Sequence, residues 1–159
     1  MMNKAAFFDR DGTINVDTGY LYEPARLVFI PGIPQLIYRL NQTGYLVIVI
    51  TNQSGIARGM YTEMDMHRFH GAMNDRLKKE YGTHIDDFYY CPHLPEITGV
   101  CECRKPNEGM FLRAIHDYEI DPNHSISFGD SKRDEEASKK AGIPRFFYVT
   151  RDGVKFGCL

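Results

Sequence analysis

The sequence predicts an α/β fold, a Rossmann-like parallel sheet of about five strands with helices on both faces. Two observations predict it. Short β-rich runs alternate with helix-period segments along the chain, and the run from Leu46 to Ile50, Leu-Val-Ile-Val-Ile, is apolar on both alternating sides. Such a run reads as a strand buried on both faces, near the centre of a parallel sheet. The expected strands are Lys4 to Phe8, Tyr45 to Ile50, Ile85 to Tyr90, Ser125 to Phe128 and Arg145 to Val149. A first helix follows Pro31-Gly32 and ends near Gly44. The second starts at an N-cap, Thr62, and runs to about Tyr81, with Phe69, Met73, Leu77 and Tyr81 recurring on one face. A third carries Met110, Ala114, Ile115 and Tyr118 on one side. The fourth, Ser131 to Ala141, is mostly charged, offers only alanines to pack, and is expected on the surface. Two non-helical stretches, Asn15 to Pro31 and Cys91 to Pro106, are long for so short a chain, and long loops in compact domains tend to carry function.

A chain of 159 residues matches one ordinary domain, so a single domain over 1–159 is expected. The 19 basic and 21 acidic residues are mixed, with a net charge of −2. That leaves no basic stripe for nucleic acid or an anionic membrane. Asp9 and Arg10 interrupt the N-terminus before any apolar signal core develops, and there is no transmembrane run, so a cytoplasmic protein is expected.

The chemistry-bearing residues follow the strands. In an open α/β sheet, ligands bind at the carboxyl ends of strands. After the first strand comes Asp9-Arg10-Asp11-Gly12-Thr13, with two carboxylates where the chain leaves the sheet. Thr51-Asn52-Gln53-Ser54-Gly55 follows the second, with donors suited to phosphate oxygens. Arg104-Lys105-Pro106 follows the third and its loop; Gly129-Asp130-Ser131, then Asp134, follows the fourth. Each motif alone is weak, since Asp-x-Asp-Gly also makes calcium-type turns and Arg-Lys-Pro is an ordinary basic patch. Their order and placement together are specific.

As a set they resemble the four signature motifs of the haloacid dehalogenase superfamily, whose phosphatases read Asp-x-Asp-x-Thr, Ser/Thr, Lys and an acidic pair. The resemblance implies a Mg²⁺-dependent phosphatase with Asp9 as nucleophile and Asp11 as general acid and base, and the physics agrees. One carboxylate must attack phosphorus while another carries a proton for the leaving oxygen. A hard cation must also offset the repulsion between carboxylate and phosphate. The resemblance places Mg²⁺ on Asp9, Asp130 and the backbone carbonyl of Asp11, with Lys105 as a second positive charge and Thr51, with Asn52 nearby, against the phosphoryl group. Asp134 is expected to orient Lys105 or a metal-bound water; the alternative is a helix-capping acid.

Cys91-Pro92-His93 and Cys101-Glu102-Cys103 gather three thiols and an imidazole in one segment, 91–103, enough for a closed Cys₃His zinc site that stiffens the loop leading into Arg104 and Lys105. Idle reduced cysteines are the alternative. Cys158 carries no signal, and His67 and His70 read as helix-surface or packing residues. Tyr20, the run Thr51 to Gly59, the Cys-Pro-His loop and Cys-Glu-Cys-Arg-Lys-Pro narrow the resemblance to the D-glycero-D-manno-heptose 1,7-bisphosphate phosphatases, with histidinol-phosphate phosphatases nearest. Both lack a large cap domain. This implies a monomer acting on a small phosphorylated metabolite, removing the C7 phosphate of the heptose while Arg104, with Lys105, grips the distal part. Arg58 is a weaker candidate for that role, or simply an exposed arginine. A histidinol-phosphate phosphatase is the runner-up, and a non-catalytic zinc-loop binding protein is the reading from another class.

Overall fold

The computed structural model describes residues 2–154; Cys158 lies outside them. Six strands, β1 (Lys4–Phe8), β2 (Tyr45–Asn52), β3 (Asp87–Cys91), β4 (Ile126–Gly129), β5 (Arg145–Thr150) and β6 (Gly153–Val154), form one sheet in the order β3-β2-β1-β4-β5-β6. The first five pair in parallel, and β6 pairs antiparallel to β5 through Val149↔Val154 and Thr150↔Gly153. β6 is the strand missing from the sequence reading, since two residues are too few to show a period. The order also puts β1 and β4 in the middle and β2 one strand in from the edge. Val47 to Ile50 are nonetheless wholly buried, because helices cover both faces.

Alternation of side chains along the strands builds two cores. Ala6, Phe8, Val47 and Val49 pack with Ile33, Ile37 and Leu40 of α1 (Ile33–Gln42) and Phe69, Met73 and Leu77 of α2 (Glu63–Tyr81). Ala5, Phe7, Ile48 and Ile50 face the opposite layer, meeting Met110, Phe111 and Ala114 of α4 (Gly109–Asp117) and Ala137 of α5 (Lys132–Lys140). A short α3 (Pro95–Thr98) sits in the cysteine loop, and a 3-10 turn, Pro24–Arg26, in the Asn15–Pro31 stretch; both stretches were expected to lack helix.

Thr62 caps α2 as expected. Its Oγ1 accepts from Asp65 N at 3.0 Å, and Asp65 Oδ2 accepts from Thr62 N at 2.9 Å, the reciprocal pairing that satisfies two otherwise orphaned donors. Ile85, expected to begin β3, is instead tied to α2: Asn74 donates to its carbonyl and accepts from its N–H, at 2.9 and 2.8 Å. The ladder therefore starts two residues later. α5 is not simply a surface helix: Ala137 and Ser138 are fully buried on its inner side, together with one charged residue, Asp134, at 4% exposure. The small residues are what let this helix lie close on the sheet. Among the described residues, no helix is long and apolar enough to cross a membrane.

Candidate active site

The carboxyl ends of β1, β2 and β4 converge on a cavity of about 400 Å³, lined by Asp9, Asp11, Asn52, Gln53, Arg58, Arg104, Lys105, Asp130 and Asp134 among others. Asp9 leaves β1 with its N–H held by Phe128 O of β4 at 3.0 Å. Gly12 follows at φ 84°, where a Cβ would collide with Asp130 Oδ2. A glycine is required there by both its backbone and the carboxylate beside it.

Lys105 is the hub. Only 3% exposed, its Nζ donates to Asp9 Oδ1 at 2.9 Å, Asp134 Oδ1 at 2.7 Å and Ile50 O at 2.6 Å, which uses all three protons. Its backbone is clamped in turn by Asn52, whose Nδ2 donates to Lys105 O at 3.1 Å and whose Oδ1 accepts from Lys105 N at 3.0 Å. Asn52 thus positions Lys105 and still lines the cavity. Thr51 is 1% exposed and lies behind the cavity wall, its Oγ1 accepting from Gln53 Nε2 at 2.7 Å. Asp134 Oδ2 accepts from Asp130 N, Ser131 N and Ser131 Oγ at 3.0–3.1 Å. Both its oxygens are therefore engaged: Asp134 orients Lys105 and also caps α5.

Electrostatics follow from this crowding. Burial, reinforced by Asp134 and Asp130 against the pull of Lys105, raises Asp9 above the usual carboxylate range. Asp130 is raised by burial and by Asp134. Asp134, in spite of burial, is held below the usual range by Lys105 and Ser131. Lys105 is raised in spite of burial by its two carboxylates. Oxygens of Asp9, Asp130 and Asp134 lie within 4.8 Å of one another, a hard-oxygen cluster with more negative charge than one ammonium offsets. Such a set fits a small divalent cation, and Asp9 and Asp130 are the members with oxygen free to give.

Arg10 and Tyr61 take part in the site although the sequence reading gave them no role there. Asp11 is held by Arg10 Nε at 3.1 Å and Nη2 at 2.9 Å, by Asn15 Nδ2 at 3.0 Å and by Gln53 Nε2 at 3.1 Å. Tyr61 OH donates to Gln53 Oε1, which turns the Gln53 amide so that its NH₂ faces Asp11 and Thr51. Arg10, between two motif acids, is fully buried. Arg58 lies over the ring of Tyr20 at 5.5 Å on the cavity wall, and the Arg104 guanidinium donates to a backbone oxygen, His93 O, at 3.4 Å. His67 is exposed, whereas His70 is buried and stacked on Phe88 at 4.2 Å.

Beside the cavity, Cys91, His93, Cys101 and Cys103 bring Sγ, Nδ1, Sγ and Sγ within 4.8 Å of one another. The sulfur pairs are 3.0–3.6 Å apart, and His93 Nδ1 lies 3.4 Å from Cys91 Sγ and 3.3 Å from Cys103 Sγ. All three cysteines are unbridged. Four soft donors at the corners of so small a volume fit a tetrahedral metal such as zinc. Asn107 Nδ2 donates to Cys101 O at 2.9 Å, knitting the loop to the turn that follows Lys105.

Comparison with known proteins agrees with this geometry. The family model described as Polynucleotide kinase 3 phosphatase matches residues 4–143. The D-glycero-beta-D-manno-heptose-1,7-bisphosphate 7-phosphatase of Haemophilus ducreyi is 44% identical over 147 residues, covering 90% of this chain and 81% of that protein. Its counterpart in Rhodopseudomonas palustris is 45% identical over 153 residues, covering 93% and 84%. Among solved structures, the D,D-heptose 1,7-bisphosphate phosphatase from B. bronchiseptica, complexed with magnesium and phosphate, superposes with a TM-score of 0.81 at 35% identity, covering 89% of this chain and 78% of that one. A Mesorhizobium loti chain described as HAD-like reaches 0.88 at 35% identity, covering 93% and 73%. The chain therefore belongs to the haloacid dehalogenase-like phosphatases matched by the Polynucleotide kinase 3 phosphatase model, in the family of the heptose-1,7-bisphosphate 7-phosphatases.

Proposed function

We propose that this chain, as one domain over residues 1–159 and as a monomer, hydrolyses the C7 phosphate of D-glycero-D-manno-heptose 1,7-bisphosphate. The observation that carries the proposal is Lys105, whose buried ammonium bridges Asp9 and Asp134 at the floor of a cavity walled by Arg58 and Arg104. A nucleophilic carboxylate paired with a cation supports phosphoryl transfer, and wall guanidiniums that have no carboxylate partner among the described residues suit a second phosphate. The family's substrate, as named for its relatives, has both groups.

In the first step an Asp9 oxygen bonds to phosphorus, the bond from phosphorus to the sugar oxygen breaks, and Asp11 gives that oxygen its proton. In the second, water attacks the aspartyl phosphate, loses a proton to Asp11, and releases phosphate and free Asp9. Lys105 holds the Asp9 oxygen in line and offsets charge on the phosphoryl group. Thr51 and Asn52 support the phosphoryl pocket, Thr51 through Gln53 and Asn52 through Lys105. A Mg²⁺ held by Asp9, Asp130 and the backbone carbonyl of Asp11 would supply further charge neutralisation. A zinc held by Cys91, His93, Cys101 and Cys103 would be structural, with no open position for water.

The test is phosphate release from a set of phosphorylated sugars and amino alcohols with Mg²⁺. The heptose bisphosphate is expected to have the highest kcat/KM; preference for histidinol phosphate would replace this substrate with the runner-up, and no release from any ester would leave a binding protein.

A further inference from the structure

Arg10 presents a physical problem that the motif does not explain. It is one of the largest wholly buried side chains of the protein, yet it neither lines the cavity nor reaches Asp9. A buried guanidinium is tolerated only when its donors are paired. Two of them take Asp11, at 3.1 and 2.9 Å; Nη2 also donates to Leu21 O at 2.7 Å, and Nη1 meets His70 Nε2 at 3.2 Å, while the guanidinium lies over the ring of Phe69 at 4.7 Å. Since arginine has no acceptor, His70 Nε2 must accept, which puts the ring proton on Nδ1. That Nδ1 is buried with no partner among the described residues. The fold thus leaves one imidazole N–H unsatisfied while the other nitrogen faces Arg10. Burial, then Arg10 itself, pushes His70 down to about 2, so the ring stays neutral and Nε2 stays an acceptor across the range in which an enzyme works.

The far end of this chain of contacts is Asp11. Rotation of a carboxylate about its last torsion is soft, and proton transfer requires one oxygen within hydrogen-bond reach of the leaving oxygen. The fork of Arg10, one donor to each oxygen, removes that freedom, and release of the neutral Asn15 or Gln53 donor opens the lone pair that carries the proton. We infer that His70 is a positioning residue for proton transfer: through Arg10 it fixes the plane of the Asp11 carboxylate without touching substrate. The inference rests on the reading of Asp11 as the proton donor.

Leaving-group dependence separates this role from a structural one, because an alkyl phosphate needs the departing oxygen protonated and a nitrophenyl phosphate hardly does. The experiment measures kcat/KM of the magnesium-loaded full chain on the heptose bisphosphate and on 4-nitrophenyl phosphate, for wild type, His70→Phe, His70→Gln and Asp11→Asn. His70→Phe keeps a ring on Phe88 and removes the acceptor; His70→Gln keeps an acceptor oxygen. His70→Phe is expected to lose about tenfold or more on the alkyl ester, with a several-fold smaller loss on the aryl ester, and His70→Gln to recover most of the difference. Equal losses on both esters, or no loss on the alkyl ester, would overturn the inference. If His70→Phe does not fold, the comparison of His70→Gln with Arg10→Lys decides: Arg10→Lys, which cannot form the fork, must show the selective loss and His70→Gln must not. Selective loss in Asp11→Asn without it in the His70 and Arg10 variants sinks this inference alone. No selective loss in Asp11→Asn removes the role of Asp11 and this inference with it.

Discussion

Lys105 and Asp134 form an ion pair of 2.7 Å in which both side chains are almost fully withdrawn from solvent, at 3% and 6% exposure. Breaking a buried pair by removing one charge leaves the other uncompensated. Asp134→Asn should therefore cost on the order of 3 kcal/mol of stability and lower kcat at least tenfold, as Lys105 loses its fixed place beside Asp9. Urea unfolding and steady-state kinetics measure both; an unchanged midpoint would mean that water reaches this pair.

Asp9→Asn should abolish turnover with little effect on folding, since the amide keeps the shape and cannot act as an anionic nucleophile. Asp11→Asn should slow hydrolysis of the heptose bisphosphate by about a hundredfold. Phosphate release by purified Asp9→Asn near the wild-type rate would end the covalent mechanism.

Zinc should be present at about one ion per chain in protein made without chelators, as a closed four-ligand site implies. Elemental analysis reads it directly. Cys103→Ser should lose the metal and lower activity indirectly, because Arg104 and Lys105 follow that residue; metal-free protein with freely alkylated Cys91 and Cys103 would favour idle thiols.

Arg104→Ala should lower kcat/KM for the heptose bisphosphate by about ten- to a hundredfold, from a charge-assisted hydrogen bond of about 1.5 to 3 kcal/mol. A generic aryl phosphate, with nothing for the guanidinium to hold, should be affected far less. Equal losses on the two would assign Arg104 to scaffold or chemistry.

His70 predicts a pH dependence of stability. Its folded value, about 2, lies below the ordinary 6.5, so the unfolded chain takes up a proton first as pH falls. The contribution is complete above pH 6.5 and is lost below it at up to about 1.4 kcal/mol per pH unit. Unfolding free energies between pH 6.5 and 5 should fall more gently in His70→Gln than in wild type by up to one proton. Parallel curves would show that folded His70 takes up the proton too.

What the sequence determined by itself was whatever short-range chemistry encodes. Alternation and 3.6-residue periodicity located five strands and the four main helices, Thr62 marked its helix start, and the placement of Asp9, Asp11, Lys105, Asp130 and Asp134 after strand ends announced the site. Clustering of Cys91, His93, Cys101 and Cys103 was visible for the same reason, since those four residues are close in sequence. Tertiary structure alone decided the rest. Burial of Arg10, its contact with His70, the Tyr61–Gln53–Asp11 chain and the use of Asn52 to clamp Lys105 all join residues that different elements supply. Strand order was hidden likewise, because β2 is as apolar as a central strand whenever helices cover both its faces. A residue's type states which bonds it can make; only the packed sheet determines which partner comes within 3 Å of it.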